Sequence, residues 1–215
     1  MFIGHYAPAF IAATHRKAPP LAVLMIGTQL IDFGFFTFAL IGIEHFRLVP
    51  GATASNWLDL YDMPYTHSLL GACVWATGFA LLVWLFTRRP AAAWLAAMAV
   101  VSHWLVDLIV HRPDLTLAGS PPLLGLGLWN RPLIEKPFEL AMAFGGLAFY
   151  AASTRPKRLP LGVLALVLGL CQAIDWFGPR TTEVTPAQPI TALAAYSVIA
   201  LLAVWVQSTR AKPAS

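Results

Sequence analysis

The sequence predicts an all-α, polytopic transmembrane helix bundle: a single integral membrane domain over residues 1–215, with about six spans, an N-terminal half-helix and both termini on the cytoplasmic side. Three observations carry that prediction. The chain is 58% apolar and only 11% charged, where a soluble domain keeps roughly a quarter of its residues charged to cover its surface. Its mean hydropathy is +0.68. Its basic residues fall in short clusters between apolar runs, the distribution that orients helices in a bilayer. The formal charge of +4 therefore points to a lipid bilayer as partner and not to nucleic acid, which would need those cations gathered on one soluble face.

Residues 1–14 are too short to span, and His15, Arg16 and Lys17 follow this apolar stretch, whereas a cleavable signal would place its positive charge in front. The segment is expected to stay in the mature protein as a half-helix, interrupted by Pro8, that dips into the bundle from the cytoplasmic side. Such a segment is tolerated at membrane depth only where protein or a watery cavity satisfies its backbone.

Five runs approach the roughly 20 apolar residues that a span requires: 21–43, 66–86, 91–111, 159–177 and 190–207. A sixth, 137–154, is shorter and follows Glu135 and Lys136, and the alternation of loops requires it. On one side, His15-Arg16-Lys17, Arg88-Arg89, Arg155 with Lys157 and Arg158, and Arg210 with Lys212 bring nine Lys or Arg and no acid. On the other, Arg47, Arg112, Arg131, Lys136 and Arg180 are set against Glu44, Asp59, Asp62, Asp114, Glu135, Glu139 and Glu183. The first side is the cytoplasmic one by the positive-inside rule. Trp57, Tyr61, Tyr65, Trp129 and Trp176 near the outer ends, and Trp84, Trp94 and Trp205 near the inner ends, form the expected aromatic belts. The outer connections are 46–65 and 112–133. The second is apolar yet broken by Gly and Pro, and is either a lid lying in the interface or a plain interfacial connector. Cys73 and Cys171 each sit alone in an apolar run, as small core or lipid-facing residues.

The chemistry-bearing residues lie within these apolar runs. Asp32 is in the middle of the first, where an ionised carboxylate costs about 2.5–3.5 kcal/mol on insertion scales, so a metal, a histidinium, an arginine or a proton must offset it. His103, Asp107 and His111 follow one another at i, i+4 and i+8 along one face of the third span. His67 opens the second span near the outer surface, and His5 adds an imidazole from the half-helix. At about 1.5 Å of rise per residue, His5, Asp32 and His103 lie roughly 15–18 Å from the inner edge, with Asp107 about 6 Å and His67 about 12 Å further out. Imidazole and carboxylate together are the ligand set of zinc and other divalent first-row metals, and hydrolysis is the chemistry such an ion serves. Taken singly, an intramembrane His beside an Asp is more often an interhelical hydrogen bond. His111 reads first as a complement to the helix dipole, Glu139 as an anchor or a catalytic base, Asp175 as interfacial, His15 as part of the basic cluster, and Glu44-His45 as a polar helix end.

The order Gly4-His5, Asp32, Tyr65-Thr66-His67-Ser68-Leu69-Leu70 and Ser102-His103-Trp104-Leu105-Val106-Asp107 resembles the bacterial inner-membrane family called membrane-bound metal-dependent hydrolases, over residues 1–114. In that family the motifs read approximately as an early His, Pro-Asp-x-Asp, Thr-His-Ser and Ser-His-x-x-x-Asp. The resemblance implies His5, Asp32, His67, His103 and Asp107 as ligands of a divalent transition metal, zinc foremost, with Asp107 or Asp32 in a catalytic role. The second motif is reduced here to Gln29-Leu30-Ile31-Asp32-Phe33, without the Pro and the second Asp, which counts against a two-metal arrangement. The function expected is hydrolysis of a lipid-like or amphipathic ester or phosphoester, reached from the extracytoplasmic side of the bacterial cytoplasmic membrane. The alternative is a small proton- or cation-coupled permease using the same Asp and His residues. Last comes an assembly subunit whose polar residues only join helices.

Overall fold

The computed structural model describes residues 1–210; Lys212, the last of the predicted inner basic residues, lies outside the described residues. A short 3-10 turn, Ile3–His5, leads directly into helix α1 (Tyr6–Ala12). Six long helices follow: α2 (Leu21–Leu40), α3 (Leu69–Thr87), α4 (Pro90–Val110), α5 (Pro132–Thr154), α6 (Arg158–Phe177) and α7 (Ala187–Ser208). Five of them, all but α5, are long and apolar enough to cross a membrane. At 23 residues α5 has the length, but its first two turns carry Glu135, Lys136 and Glu139.

The helix boundaries follow local chemistry. Ser68 caps α3, its hydroxyl accepting from Gly71 N at 3.0 Å. Prolines open α4 and α5 within the first turn, where a missing N–H costs nothing. Arg88 and Arg155 close α3 and α5 in the left-handed conformation, at φ 54° and 48°, and place cations at the negative ends of the helix dipoles. Pro8 is the third residue of α1 and so removes no intrahelical bond; the expected interruption is absent, and the half-helix is continuous from Ile3.

Helices in lipid gain nothing from burying apolar side chains against one another, so close approach through small residues must hold them. The inward face of α4 carries Ala92, Ala96 and Ala99. They meet Gly27 of α2, where a Cβ would lie 3.3 Å from that of Ala99. Gly146 of α5 does the same for the half-helix, since a Cβ there would stand 3.0 Å from Ala7 Cα. Helix α1 thus fills the centre of the bundle between α2, α4 and α5, with Tyr6, Ala9 and Phe10 at 0–1% exposure. Its start departs from the prediction that both termini lie at the basic end. Met1 is buried beside Asp107, and the chain reaches the basic end only at His15–Lys17.

The connection 46–65 adds a short strand pair to the helical bundle. It holds an antiparallel hairpin, β1 (His45–Leu48) and β2 (Leu58–Asp62), in register Arg47 to Asp59 and Leu48 to Leu58. Phe46 and Leu60 turn inward while His45, Arg47 and Tyr61 face out. β1 thus shows the period-two alternation of a half-buried strand, whereas β2 buries the adjacent Asp59 and Leu60; neither is visible to a search for span-length apolar runs. Asp59 ties the hairpin down by accepting from Arg47 at 2.6 and 3.0 Å and from Arg112, beyond α4. Helix α2 ends at Leu40, so Glu44 is no helix end; it is fully buried under the loop that precedes α3.

Candidate metal centre

The centre is assembled from four separate stretches of chain. Asp107 stands in its middle on α4, with its side chain 2% exposed. Its Oδ1 lies 3.0 Å from His5 Nε2, 3.4 Å from His111 Nε2 and 3.8 Å from the Met1 nitrogen. Its Oδ2 lies 3.0 Å from His103 Nε2 and 3.7 Å from His67 Nε2. Asp32 Oδ1, from α2, faces the same two imidazoles at 3.4 Å for His67 and 3.5 Å for His103. All five predicted residues therefore come together, in two overlapping groups with metal-ligand spacing: His5, His103 and Asp107, and Asp32, His67 and His103.

His67 reaches this depth because the Tyr65–Ser68 segment is not the first turn of a helix. It is a loop folded inward ahead of α3, and this corrects the position near the outer surface. Straight-helix arithmetic put the imidazole too far out because it allowed no re-entry. Three bonds hold the loop: Tyr65 N, Thr66 N and Thr66 Oγ1 donate to the Glu44 carboxylate at 2.8, 2.9 and 2.6 Å. Trp104 Nε1 donates to His67 O at 3.1 Å and fixes its level against α4. Gly34 leaves room on α2, where a Cβ would come 3.2 Å from Thr66 Cγ2.

The hydrogen-bond partners settle which ring nitrogen faces inward. The Thr66 hydroxyl spends its proton on Glu44, which can only accept, so it accepts in turn from His67 Nδ1–H at 2.9 Å. His103 Nδ1 must donate to the Thr28 carbonyl at 2.7 Å. His111 Nδ1 donates to Asp114 Oδ1 at 2.8 Å. Each of the three imidazoles thus uses Nδ1–H on a protein acceptor and aims Nε2 at a carboxylate, the arrangement that orients metal-ligating histidines. His5 Nδ1 has no hydrogen-bond partner, and His5 Nε2 and His103 Nε2 have only the Asp107 oxygens, each 3.0 Å away. In a dry site, lone pairs facing one another at these distances require a cation or protons between them. The residues present fit a divalent metal on donor chemistry and on orphaned atoms alike.

Several participants escape a sequence reading. His111 joins the cluster and is 2% exposed, held under Trp129 at 4.1 Å between ring centroids. Its place eight residues after His103 on one face was the available signal. Glu44, Thr66 and Tyr196, whose hydroxyl donates to Asp32 Oδ2 at 3.2 Å, lie outside any spacing rule. Glu139 accepts from Phe2 N at 2.5 Å and Gly4 N at 3.3 Å, which is the anchoring role. Asp175 faces Gln172, whose amide donates to it at 3.3 Å.

A cavity of about 640 Å³ opens beside the centre. Asp32, His67, Asp107 and His111 line it together with Glu135, Glu139 and Asp175, and Phe35, Phe36, Phe46, Leu60, Ile174 and Trp176 are among its apolar lining. Leu24, Met25, Phe10 and Tyr150, each at most 1% exposed, belong to the apolar core packed around α1. The segment 112–131 folds over the outer end of α4 with Leu115 and Trp129 buried and Leu123 and Leu126 exposed. Neither protein-family models, curated proteins nor solved structures give a match to this chain.

Proposed function

We propose that the chain is a metal-dependent hydrolase of the bacterial cytoplasmic membrane, acting on a lipid-like or amphipathic ester or phosphoester from the extracytoplasmic side. In this reading α2 to α7 make six crossings. The Arg88, Arg155 and Arg210 end is cytoplasmic, and the hairpin end faces out. The observation that carries the proposal is the inward convergence of His67 Nε2, His103 Nε2, Asp32 Oδ1 and Asp107 Oδ2, with Nδ1 of both imidazoles bonded to other protein groups. Bound there, a divalent transition ion such as zinc supplies a water whose pKa is lowered to about 7 and polarises a carbonyl or phosphoryl oxygen.

The protein's own residues divide the remaining work. Both carboxylates border the cavity; Asp107, with its side chain 2% exposed, serves as a ligand. Asp32, at 14% exposure, is the more accessible one and takes a proton from an attacking water, at the Oδ2 that Tyr196 steadies. The apolar walls hold an acyl or alkyl chain and exclude bulk water from the reacting bond.

Metal content of the detergent-purified protein, alongside hydrolysis of a chromogenic acyl ester and a chromogenic phosphoester, tests the proposal. At least one transition ion per chain and chelator-sensitive cleavage of one ester class are expected, with the cleavage lost in Asp32→Asn. Metal content that does not change in His67→Ala and His103→Ala would overturn it. So would ion flux in proteoliposomes that dies with Asp32→Asn while no ester is cleaved.

A further inference from the structure

We infer that the centre takes two divalent ions, with Asp107 as the bridge. This rests on the metal-site reading above and extends it from one ion to two. The argument is a count of ligand atoms. His103 belongs to both of the ligand groups in the cluster, yet it offers a single free nitrogen because Nδ1 is committed to the Thr28 carbonyl. Its Nε2 lies toward Asp107 Oδ2 and Asp32 Oδ1, on the side shared with His67. One ion held there uses His67, His103, Asp32 and Oδ2, and leaves Asp107 Oδ1 facing His5, His111 and, at 3.8 Å, the Met1 nitrogen.

That second oxygen has imidazoles of its own. His5 Nε2 is 3.0 Å from it and His111 Nε2 is 3.4 Å from it. His5 is 1% exposed and its Nδ1 has no hydrogen-bond partner. An imidazole buried on a stacked neighbour, 3.9 Å from the ring of His103, with one nitrogen unmatched and the other facing only a carboxylate oxygen is costly unless a ligand completes it. His111 is aimed by Asp114 as His67 is aimed by Thr66. The two oxygens of one carboxylate facing two separate sets of imidazoles is the pattern of a bridged pair, in which ions stand about 3.5–4 Å apart. The acid missing from the Gln29–Phe33 element is thereby replaced, as a ligand, by His111 from the far end of α4.

The test is a manganese(II) titration of the metal-stripped full chain in detergent, read by stoichiometry and by electron paramagnetic resonance, with His5→Ala and His111→Ala in parallel. Expected are two ions per wild-type chain with the broadened signal of an exchange-coupled pair. Either variant should hold one ion, with the six-line signal of isolated manganese(II). One uncoupled ion in the wild type, removed by His67→Ala and untouched by His5→Ala, would overturn the pair while leaving the single-ion hydrolase reading intact. No bound ion in the wild type would overturn both. The wild-type signal decides the matter even where a variant fails to fold.

Discussion

Replacing Thr66 by Val removes one hydroxyl and almost no volume, at the point where the Glu44 carboxylate and the His67 imidazole meet. The Thr66 oxygen stands 2.6 Å from Glu44 Oε2 and 2.9 Å from His67 Nδ1, and Thr66 and Glu44 are fully buried. Without it, His67 Nδ1–H has no acceptor and Glu44 Oε2 no donor, and each buried group left unmatched costs about 1–3 kcal/mol. Glu44 Oε1 keeps its two backbone donors, Tyr65 N and Thr66 N, so the loop stays in place and the loss falls on the orientation and tautomer of His67. Removal of an outer partner of a ligating histidine lowers metal affinity on the order of 10–100-fold, equivalent to about 1.4–2.7 kcal/mol. Competition of the purified protein against a fluorescent zinc chelator measures this, and thermal unfolding with and without metal separates affinity from stability. Thr66→Ser, which keeps the hydroxyl, should stay near wild type. Affinity in Thr66→Val within twofold of wild type would refute the claim that the Glu44–Thr66–His67 chain sets the ligand.

Trp129→Ala opens the cover over His111 and should destabilise the protein by about 3–5 kcal/mol, read as a lower unfolding midpoint in detergent; a midpoint within a degree of wild type would mean that the 112–131 segment does not pack on α4. Gly146→Leu drives a side chain into Ala7, which a Cβ alone would approach to 3.0 Å at its Cα. An overpacking cost of about 1–3 kcal/mol should appear together with weaker metal binding, because the half-helix carries His5. Tyr196→Phe removes the donor to Asp32 Oδ2 and should lower the hydrolysis rate while leaving metal content unchanged; loss of the metal instead would assign Tyr196 to holding the ion's ligands. Chelator treatment should lower the unfolding midpoint of the wild type and leave that of His103→Ala where it is.

The helices were legible in the sequence because the bilayer imposes a length and a composition on each. The predicted run 91–111 lies within a residue of α4, Pro90–Val110 at both ends, and the run 159–177 within a residue of α6, Arg158–Phe177. The sixth run was read too short because its first turns are polar. Glu135 and Glu139 lie inward and accept from Ser55 Oγ, Phe2 N and Gly4 N, so an apolar count missed a buried helical start. The five site residues were legible as ionisable groups where lipid tolerates few. Their depth was not, since His67 sits on a re-entrant loop that only Glu44, Thr66 and Trp104 together hold, and no local spacing encodes that closure. His111 was visible as the third member of one helical face, but its partner Asp114 lies beyond the helix end, where the face ceases to be defined.

X-ray absorption at the zinc edge of the loaded full chain tests the central claim most directly. Convergence of His67, His103, Asp32 and Asp107 on one ion predicts a nitrogen and oxygen shell at about 2.0–2.2 Å, with the outer-shell scattering of at least two imidazoles that diminishes in His103→Ala. A shell with no imidazole scattering, or one with sulfur at about 2.3 Å from Cys73 or Cys171, would contradict it.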